Sequence, residues 1–141
     1  MRYMHSFIVK KDHLDEQDHV NNVVFVQWIQ DVAVAHWQRA ASAEAQENFV
    51  WYLLRHEIDY RQQGFEGDEI TVTTWVGTAT KVTCERFTEI RRGETLLVQA
   101  RSKWCMLDVR TKKPVRINEE IRECFRMMLS QKSGVRNREK R

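Results

Sequence analysis

The sequence predicts an α+β fold in which one long helix lies across a curved antiparallel sheet of about five strands, with a short helix near the carboxyl end. Three observations predict it: an apolar helical segment follows a polar loop near the amino terminus, long strand-like segments come directly after one another, and a second helical segment is short. A doubly wound sheet would instead need helices and strands in alternation. The one long helix must therefore cover one face of an antiparallel sheet.

The amino-terminal third is predicted to be a strand, a loop and the central helix. The first strand is expected at residues 3–10, and the polar loop occupies residues 15–22. From there to about Trp37, apolar residues recur at three- and four-residue spacing over most of the circumference, which indicates a largely buried helix. Asn21 or Asn22 is suited to cap it, because a short amide side chain accepts a hydrogen bond from the first turn.

Four further strands are predicted from period-two alternation of apolar residues. Gly64 and Gly67 provide a turn before the second of them, and Gly93 lies in the hairpin before the last. Residues 40–46 either continue the central helix or form a short separate turn. The four predicted strands are 49–61, 69–80, 81–91 and 95–109.

The carboxyl-terminal part is predicted to add only small elements. Residues 115–117 are expected to add a few strand residues, and Asn118 is expected to cap a short helix over about 119–128. A chain of 141 residues can bury one substantial core, so we expect a single domain over residues 1–129. The basic tail, residues 130–141, is expected to be disordered.

Charge and cysteine content exclude several classes of protein. The formal net charge is +3, and much of it lies in the tail, so the domain is close to neutral and we expect no nucleic-acid partner. Cys84, Cys105 and Cys124 are odd in number and widely spaced, which is typical of reduced thiols. No segment has the length and apolarity of a signal core or membrane span, so a cytoplasmic protein without a membrane partner is expected.

Two blocks of sequence occur in a specific order and separation. The first, DxxxHVNNxxFxxW at residues 15–28, leads into the predicted helix, and the second joins EIDY at 57–60 to GDEI at 67–70. Together they resemble the hotdog-fold acyl-CoA thioesterases of the 4-hydroxybenzoyl-CoA thioesterase type, in which Asp-x3-His-Val-Asn-Asn precedes the central helix. The likeness extends from about residue 7 to residue 121.

The sequence departs from that family's pattern at three places. Asp18 stands where Gly usually precedes the His, and Phe25 stands where the helix usually has Tyr. The turn between two strands, where the family usually has Arg-Pro, is Gln-Gln-Gly at residues 62–64. This turn therefore lacks a rigid residue and a cation.

The resemblance implies that Asp15 is the nucleophile or general base of a thioester hydrolase. Such a reaction needs a carboxylate or activated water on one side and donors for the developing oxyanion on the other. Free N–H groups of the first helical turn, at Asn22 and Val23, can supply those donors, with Asn21 beside them. His19 either polarises the substrate, orients Asp15 or only holds the loop. Without the resemblance, Asp15 is interpreted as a cap or an Asx-turn residue.

Coenzyme A would be part of the substrate, and we expect neither a cofactor nor a metal, because the loop histidines lack helical metal-binding spacing. Lys81, Arg86 and Arg91 are candidate partners for its phosphates, and solvated strand edges explain them equally well. The resemblance implies a homodimer or homotetramer joined at sheet edges, with each site at a subunit interface. Long strands also leave edges that must be paired or protected.

Three functions are compatible with this sequence. The leading hypothesis is hydrolysis of acyl-CoA to a free acid and coenzyme A. The second is hydrolysis of acyl groups on acyl carrier protein (ACP), which would favour a basic docking patch. The third is a non-catalytic acyl-CoA-binding hotdog protein in which Asp15 is only a cap.

Overall fold

A computed structural model describes residues 2–129 of the chain. Its elements confirm the predicted α+β class, and the tail over residues 130–141 lies outside the described residues. A single 3-10 turn, Lys11–His13, precedes the loop. The elements in chain order are β1 (Arg2–Ile8), α1 (Asn22–Ala40), α2 (Ala43–Asn48), β2 (Phe49–Tyr60), β3 (Glu69–Ala79), β4 (Thr83–Arg92), β5 (Thr95–Asp108), α3 (Glu119–Phe125) and β6 (Met128–Leu129).

The five long strands form one antiparallel sheet in the order β1-β3-β4-β5-β2. Consecutive strands β3, β4 and β5 are neighbours, as expected for hairpins. The short β6, which the sequence did not predict, pairs in parallel with the end of β3. Strand β2 pairs with β5 alone, so one edge along its twelve residues is open among the described residues.

Helix α1 packs across the inner face of this sheet. Its buried residues recur at the predicted helical spacing, and Phe25, Ile29 and Val32 contact one apolar cluster with strand residues such as Ile70 and Val72. Each fully buried side chain of this size contributes about 1.5–3 kcal/mol to the free energy of folding. This packing fixes the amino terminus of α1 at one end of the sheet.

The core consists of two apolar clusters with a polar row between them. The first cluster lies under the amino-terminal half of α1, and the second includes Trp37 of α1 and Phe125 of α3. Inner-face strand positions between the clusters are polar, and α1 contributes a histidine beside them. The buried polar residues are His36, Thr74, Arg86, Thr88 and Ser102.

The structure decides one alternative that the sequence left open, at residues 40–46, and it shortens the last predicted helix. Helix α2 is separate from α1, because Ser42 caps it by accepting a hydrogen bond from the N–H of Ala45 at 3.1 Å. Helix α3 ends at Phe125, three residues before the predicted end. Arg126 adopts a left-handed conformation there with φ 54°, which is a common way for a helix to stop. Residues 115–117 do not form a strand.

Two further expectations concern membrane spans and thiols. Within residues 2–129, no helix is both long and apolar enough to cross a membrane. All three cysteines are free thiols. Burial raises the pKa of Cys84 to about 12, so this thiol stays protonated and unreactive at neutral pH.

Candidate active site

The loop before α1 is organised around the carboxylate of Asp15. Its Oδ1 accepts hydrogen bonds from the backbone N–H of Gln17 at 2.8 Å and of His19 at 3.2 Å. The N–H of Asp15 donates to the carbonyl of His19 at 2.8 Å and closes the loop. This is the Asx-turn arrangement that was expected for Asp15 if it were not catalytic. Oδ2 has no hydrogen-bond partner within residues 2–129, and the side chain is exposed.

Asp18 has a left-handed backbone conformation in this loop. Its φ is 63°, which is in the left-handed region, and its N–H donates to the carbonyl of Asp15 at 3.1 Å. Glycine adopts this conformation without the steric penalty of a β-carbon, and aspartate is one of the few other residues that visit it. The Asp at this position is therefore compatible with a turn in which the resembled family usually has Gly.

Asn21 is the N-cap of helix α1, which is one of the two alternatives that the sequence predicted. The Oδ1 of Asn21 accepts from the N–H of Val23 at 2.9 Å. Its carbonyl accepts from Val24 at 2.9 Å and Phe25 at 3.2 Å. The prediction that Val23 offers a free donor is therefore wrong, because the cap occupies its N–H. Of these first-turn N–H groups, that of Asn22 has no partner among residues 2–129.

An open crevice of about 650 Å³ lies at this helix terminus. One wall comes from the loop and the start of α1, and the other from the end of β2 and the turn after it. The structure therefore brings together four predicted site residues, and it adds residues of β2 and its turn. The lining residues are Asp15, Gln17, His19, Val20, Asn21, Asn22, Phe25, Tyr60, Arg61, Gln62 and Gln63.

The turn after β2 is fixed against the loop by a close backbone contact. The N–H of Val20 donates to the carbonyl of Gly64 at 2.8 Å. Arg92 of β4 supports the same turn, since it donates to the carbonyl of Gln63 at 3.1 Å and pairs with Asp68 at 2.8 Å. These contacts order a turn that lacks the proline usual in the resembled family.

The three cations predicted to bind phosphate do not line the crevice. Lys81 is exposed in the turn between β3 and β4, and Arg91 lies at the opposite end of β4, paired with Glu89 at 3.3 Å. Arg86 lies on the inner face of the sheet and is 6% exposed, so it is not on a solvated strand edge, and its role as a phosphate partner stays a prediction. Arg61, which the sequence reasoning missed, follows β2 directly and does line the crevice.

The histidines of this region form no metal site with their neighbours. Within the described range 2–129, no group of three or more His, Cys, Asp or Glu side chains is placed to hold a metal ion. His13 accepts from the N–H of Lys10 at 2.9 Å and packs edge-on against Trp28. His19 packs edge-on against Phe65 at 5.3 Å between ring centroids. These contacts orient both imidazoles by packing.

Comparison with known families decides the family to which the chain belongs. The sequence profile of the acyl-ACP thioesterase N-terminal domain matches residues 1–125. The chain belongs to this family. Among curated proteins, the acyl-ACP thioesterase domain is similar to the chloroplastic acyl-[acyl-carrier-protein] hydrolase FATB3 of Cuphea viscosissima, with 29% identity over 79 residues. The match covers 54% of this chain and 19% of that protein, so the chain spans about a fifth of its relative's length.

Solved structures confirm the predicted hotdog fold of this acyl-ACP thioesterase domain. The 1,4-dihydroxy-2-naphthoyl-CoA thioesterase Slr0204 of Synechocystis matches with a TM-score of 0.76 and 15% identity, over 89% of this chain and 96% of that one. The protein SAV2348 of Staphylococcus aureus, solved in complex with CoA, matches with a TM-score of 0.79 and 15% identity, over 96% and 90% of the two chains. At these identities the likeness establishes the fold alone.

Proposed function

We propose that this protein hydrolyses acyl-CoA thioesters to a free acid and coenzyme A. The observation that carries the proposal is that Asp15 and the unpartnered N–H of Asn22 line the same crevice. A helix amino terminus carries about half a positive charge, which suits a developing oxyanion. Membership of the acyl-ACP thioesterase family supports thioester chemistry in general, and the resemblance to 4-hydroxybenzoyl-CoA thioesterases supports the role of Asp15.

The proposed chemistry divides the work between the two sides of the crevice. The thioester carbonyl oxygen accepts from the N–H of Asn22. Oδ2 of Asp15 either attacks the carbonyl carbon or removes a proton from the water that attacks it. When Asp15 acts as the base, the attacking water becomes part of the released acid as the C–S bond breaks, and the coenzyme A thiolate takes up the proton. When Asp15 acts as the nucleophile, breaking the C–S bond leaves an acyl–Asp15 anhydride, which water hydrolyses to the free acid and the Asp15 carboxylate, and the thiolate takes up the proton that is released. His19 lines the same crevice and is proposed to polarise the substrate or orient Asp15.

The carrier of the acyl group is proposed to be coenzyme A. Arg61 provides a cation on the crevice wall for a phosphate, whereas Lys81 and Arg91 do not line the crevice. The CoA complex of the structurally similar Staphylococcus aureus protein supports a carrier of this type. The second candidate is acyl-ACP, which the family and the Cuphea relative favour.

A kinetic comparison tests both the reaction and the carrier. The kcat/KM values for octanoyl-CoA and octanoyl-ACP are measured for wild type, Asp15→Asn and the control Asp18→Asn. Asparagine at residue 15 can still accept both loop hydrogen bonds, so we expect the fold to persist and kcat/KM to fall about 100-fold or more. The control variant, in the same loop, should retain activity because asparagine also tolerates a left-handed backbone.

Each alternative predicts a different result in that comparison. Equal rates for wild type and Asp15→Asn would remove Asp15 from the mechanism. A preference for octanoyl-ACP would favour the second function over the first. Saturable binding of octanoyl-CoA with hydrolysis of neither substrate would favour a non-catalytic binding protein.

We also propose that two copies associate through the open edge of β2. Tyr52 is 60% exposed and Leu54 is 49% exposed on this strand, and an unpaired edge with exposed apolar side chains is a template for another strand. Tyr60, at the end of β2, lines the crevice, so pairing here would bring a second subunit to the site. Tetramers of such dimers are the larger assembly that the resemblance implies.

Mass measurement in solution tests this association. Leu54→Lys should shift the protein to a monomer in light scattering after size-exclusion chromatography, because it places a charge in the proposed contact. Ile8→Lys is the matched control, since Ile8 is a half-exposed residue on β1, the opposite edge strand. A wild-type monomer, or a dimer unaffected by Leu54→Lys, would contradict the proposal.

A further inference from the structure

The inner face of the sheet buries a cation without an anionic partner. Arg86 donates from Nη1 to Nδ1 of His36 at 2.9 Å and to Oγ1 of Thr74 at 3.1 Å. None of the salt bridges formed within residues 2–129 involves Arg86. Buried charges are normally paired, because removing an ion from water is costly. A bound anion near Arg86 would supply the negative charge that residues 2–129 do not place there.

The groups around Arg86 that lack partners are hydrogen-bond donors. Arginine can only donate, so Nδ1 of His36 must accept and the imidazole carries its proton on Nε2. That Nε2 is buried and has no partner among the described residues. The indole Nε1 of Trp104 is likewise buried without a partner there. Of these two groups, only Trp104 lines the same cavity as Arg86, and an unpaired donor beside an unpaired cation favours a ligand that accepts hydrogen bonds and carries negative charge.

A cavity of about 210 Å³ lies beside Arg86, between the carboxyl-terminal half of α1 and the sheet. Arg86 and Trp104 form part of its wall, and the other lining side chains are apolar. Trp37 is the largest side chain that α1 contributes to this wall. Val34 of α1 also lines it and is about half exposed, so the cavity reaches the surface. It is therefore an accessible apolar pocket with one cationic wall.

This cavity is distinct from the crevice at Asp15. The two share no lining residue. Ala33, on the cavity wall, lies about 16 Å beyond Asn22 along α1 at 1.5 Å per residue. The buried side chains of Ile29 and Val32 occupy the core between them. A ligand in one space therefore need not contact the other.

We propose that the cavity binds a small apolar carboxylic acid as its anion. The carboxylate accepts hydrogen bonds from Arg86 and from Nε1 of Trp104, and the hydrocarbon part contacts the apolar walls. A cavity of about 150 Å³ holds benzene, so this one accommodates a single ring with its carboxylate. The proposal does not depend on thioester hydrolysis, since a protein without that activity would bind the acid equally well.

The wild-type protein alone provides the first test. Dissociation constants for benzoate and for benzamide are measured by isothermal titration calorimetry at neutral pH. Benzamide keeps the shape of benzoate and lacks its charge, so benzoate should bind about tenfold or more tightly. Equal affinities, or no saturable binding of benzoate, would overturn the proposal.

Variants locate the site. Arg86→Met keeps an apolar side chain of similar length and should lower the affinity for benzoate to that for benzamide, while Arg101→Met should leave it unchanged. Arg101 is the matched control because it is an exposed arginine of the neighbouring strand β5, paired with Glu85. Unchanged benzoate binding by folded Arg86→Met would overturn the proposal.

Two further variants cover the remaining outcomes. Trp104→Phe keeps most of the aromatic packing and removes the N–H, so it should weaken benzoate binding several-fold even if Arg86→Met does not fold. Asp15→Asn should leave benzoate affinity unchanged. A changed benzoate affinity in Asp15→Asn, whether tighter or weaker, would place benzoate in the crevice and overturn the proposal, whether or not the crevice hydrolyses thioesters.

Discussion

Gly64 lies so close to Val20 that a β-carbon added to Gly64 would stand 2.9 Å from Cγ2 of Val20. Real β-carbons do not approach other atoms so closely, and Val20 is buried with its N–H bonded to the carbonyl of Gly64. Gly64→Ala should therefore lower the free energy of unfolding by about 1–3 kcal/mol through overpacking. Urea denaturation followed by circular dichroism measures this loss.

The double variant with Val20→Ala provides the control for this contact. Alanine at residue 20 lacks Cγ2, so Gly64→Ala should cost less in that background than in wild type, and the two changes should not be additive. Strict additivity, or a Gly64→Ala protein as stable as wild type, would show that the loop and the turn are not packed as the structure has them.

The buried imidazole of His36 makes stability depend on pH. Burial, with a smaller contribution from Arg86, lowers its pKa from 6.5 to about 4. Between these values the unfolded chain binds a proton that the folded chain does not, so stability falls as the pH falls through this window. The difference corresponds to about 3 kcal/mol between pH 7 and pH 4.

Unfolding free energies of wild type and His36→Gln, measured from pH 4 to pH 7, test this dependence. The amide oxygen of glutamine can accept the hydrogen bond of Arg86, so the variant should fold and show a shallower slope over this range. His5→Gln is the control, because His5 is only partly buried. Equal slopes for wild type and His36→Gln would contradict the prediction.

The fold was predictable because apolar residues recur with clear helix and strand periodicity. Arg86, which was expected at a solvated strand edge, shows where this signal fails. Residues 84, 86, 88 and 90 share the inner face of β4, so alternation alone would have placed Arg86 inside. Phe87 carries a large apolar side chain on the opposite face, where it stacks on Trp75 at 5.8 Å between centroids. An apolar residue on each face makes the inner face ambiguous from one sequence.

The site was predictable as a loop and a helix terminus, and its donors were not. The motif at residues 15–22 indicated which residues gather, and the crevice contains Asp15, His19, Asn21 and Asn22. Which N–H remains free depends on the side-chain conformation of Asn21, because either asparagine could have been the cap. Arg61 joins the crevice through the tertiary position of β2, which no local pattern specifies.

Replacing Asp18 by glycine should stabilise the protein. A side chain with a β-carbon in the left-handed region lowers the free energy of unfolding by about 1–2 kcal/mol, and glycine avoids this cost. Glycine is also more flexible in the unfolded chain, and this flexibility cancels part of the gain. Asp18→Gly should therefore raise the free energy of unfolding by up to about 1 kcal/mol, whereas Asp18→Val should lower it. Thermal denaturation of both variants measures the effect, and a stabilised Asp18→Val would contradict the left-handed assignment.

The N-cap Asn21 connects the stability of α1 with the proposed oxyanion site. Asn21→Ala should lower the free energy of unfolding by about 1 kcal/mol, because it removes the acceptor for the N–H of Val23, while Asn21→Ser should retain most of the stability. Ser42→Ala, which removes the cap of α2, is the matched control with a similar cost in stability. Only Asn21→Ala should also change kcat/KM for octanoyl-CoA, since it alters the donors beside Asn22. Equal effects of the two alanine variants on kcat/KM would indicate that the terminus of α1 contributes to the fold and not to the chemistry.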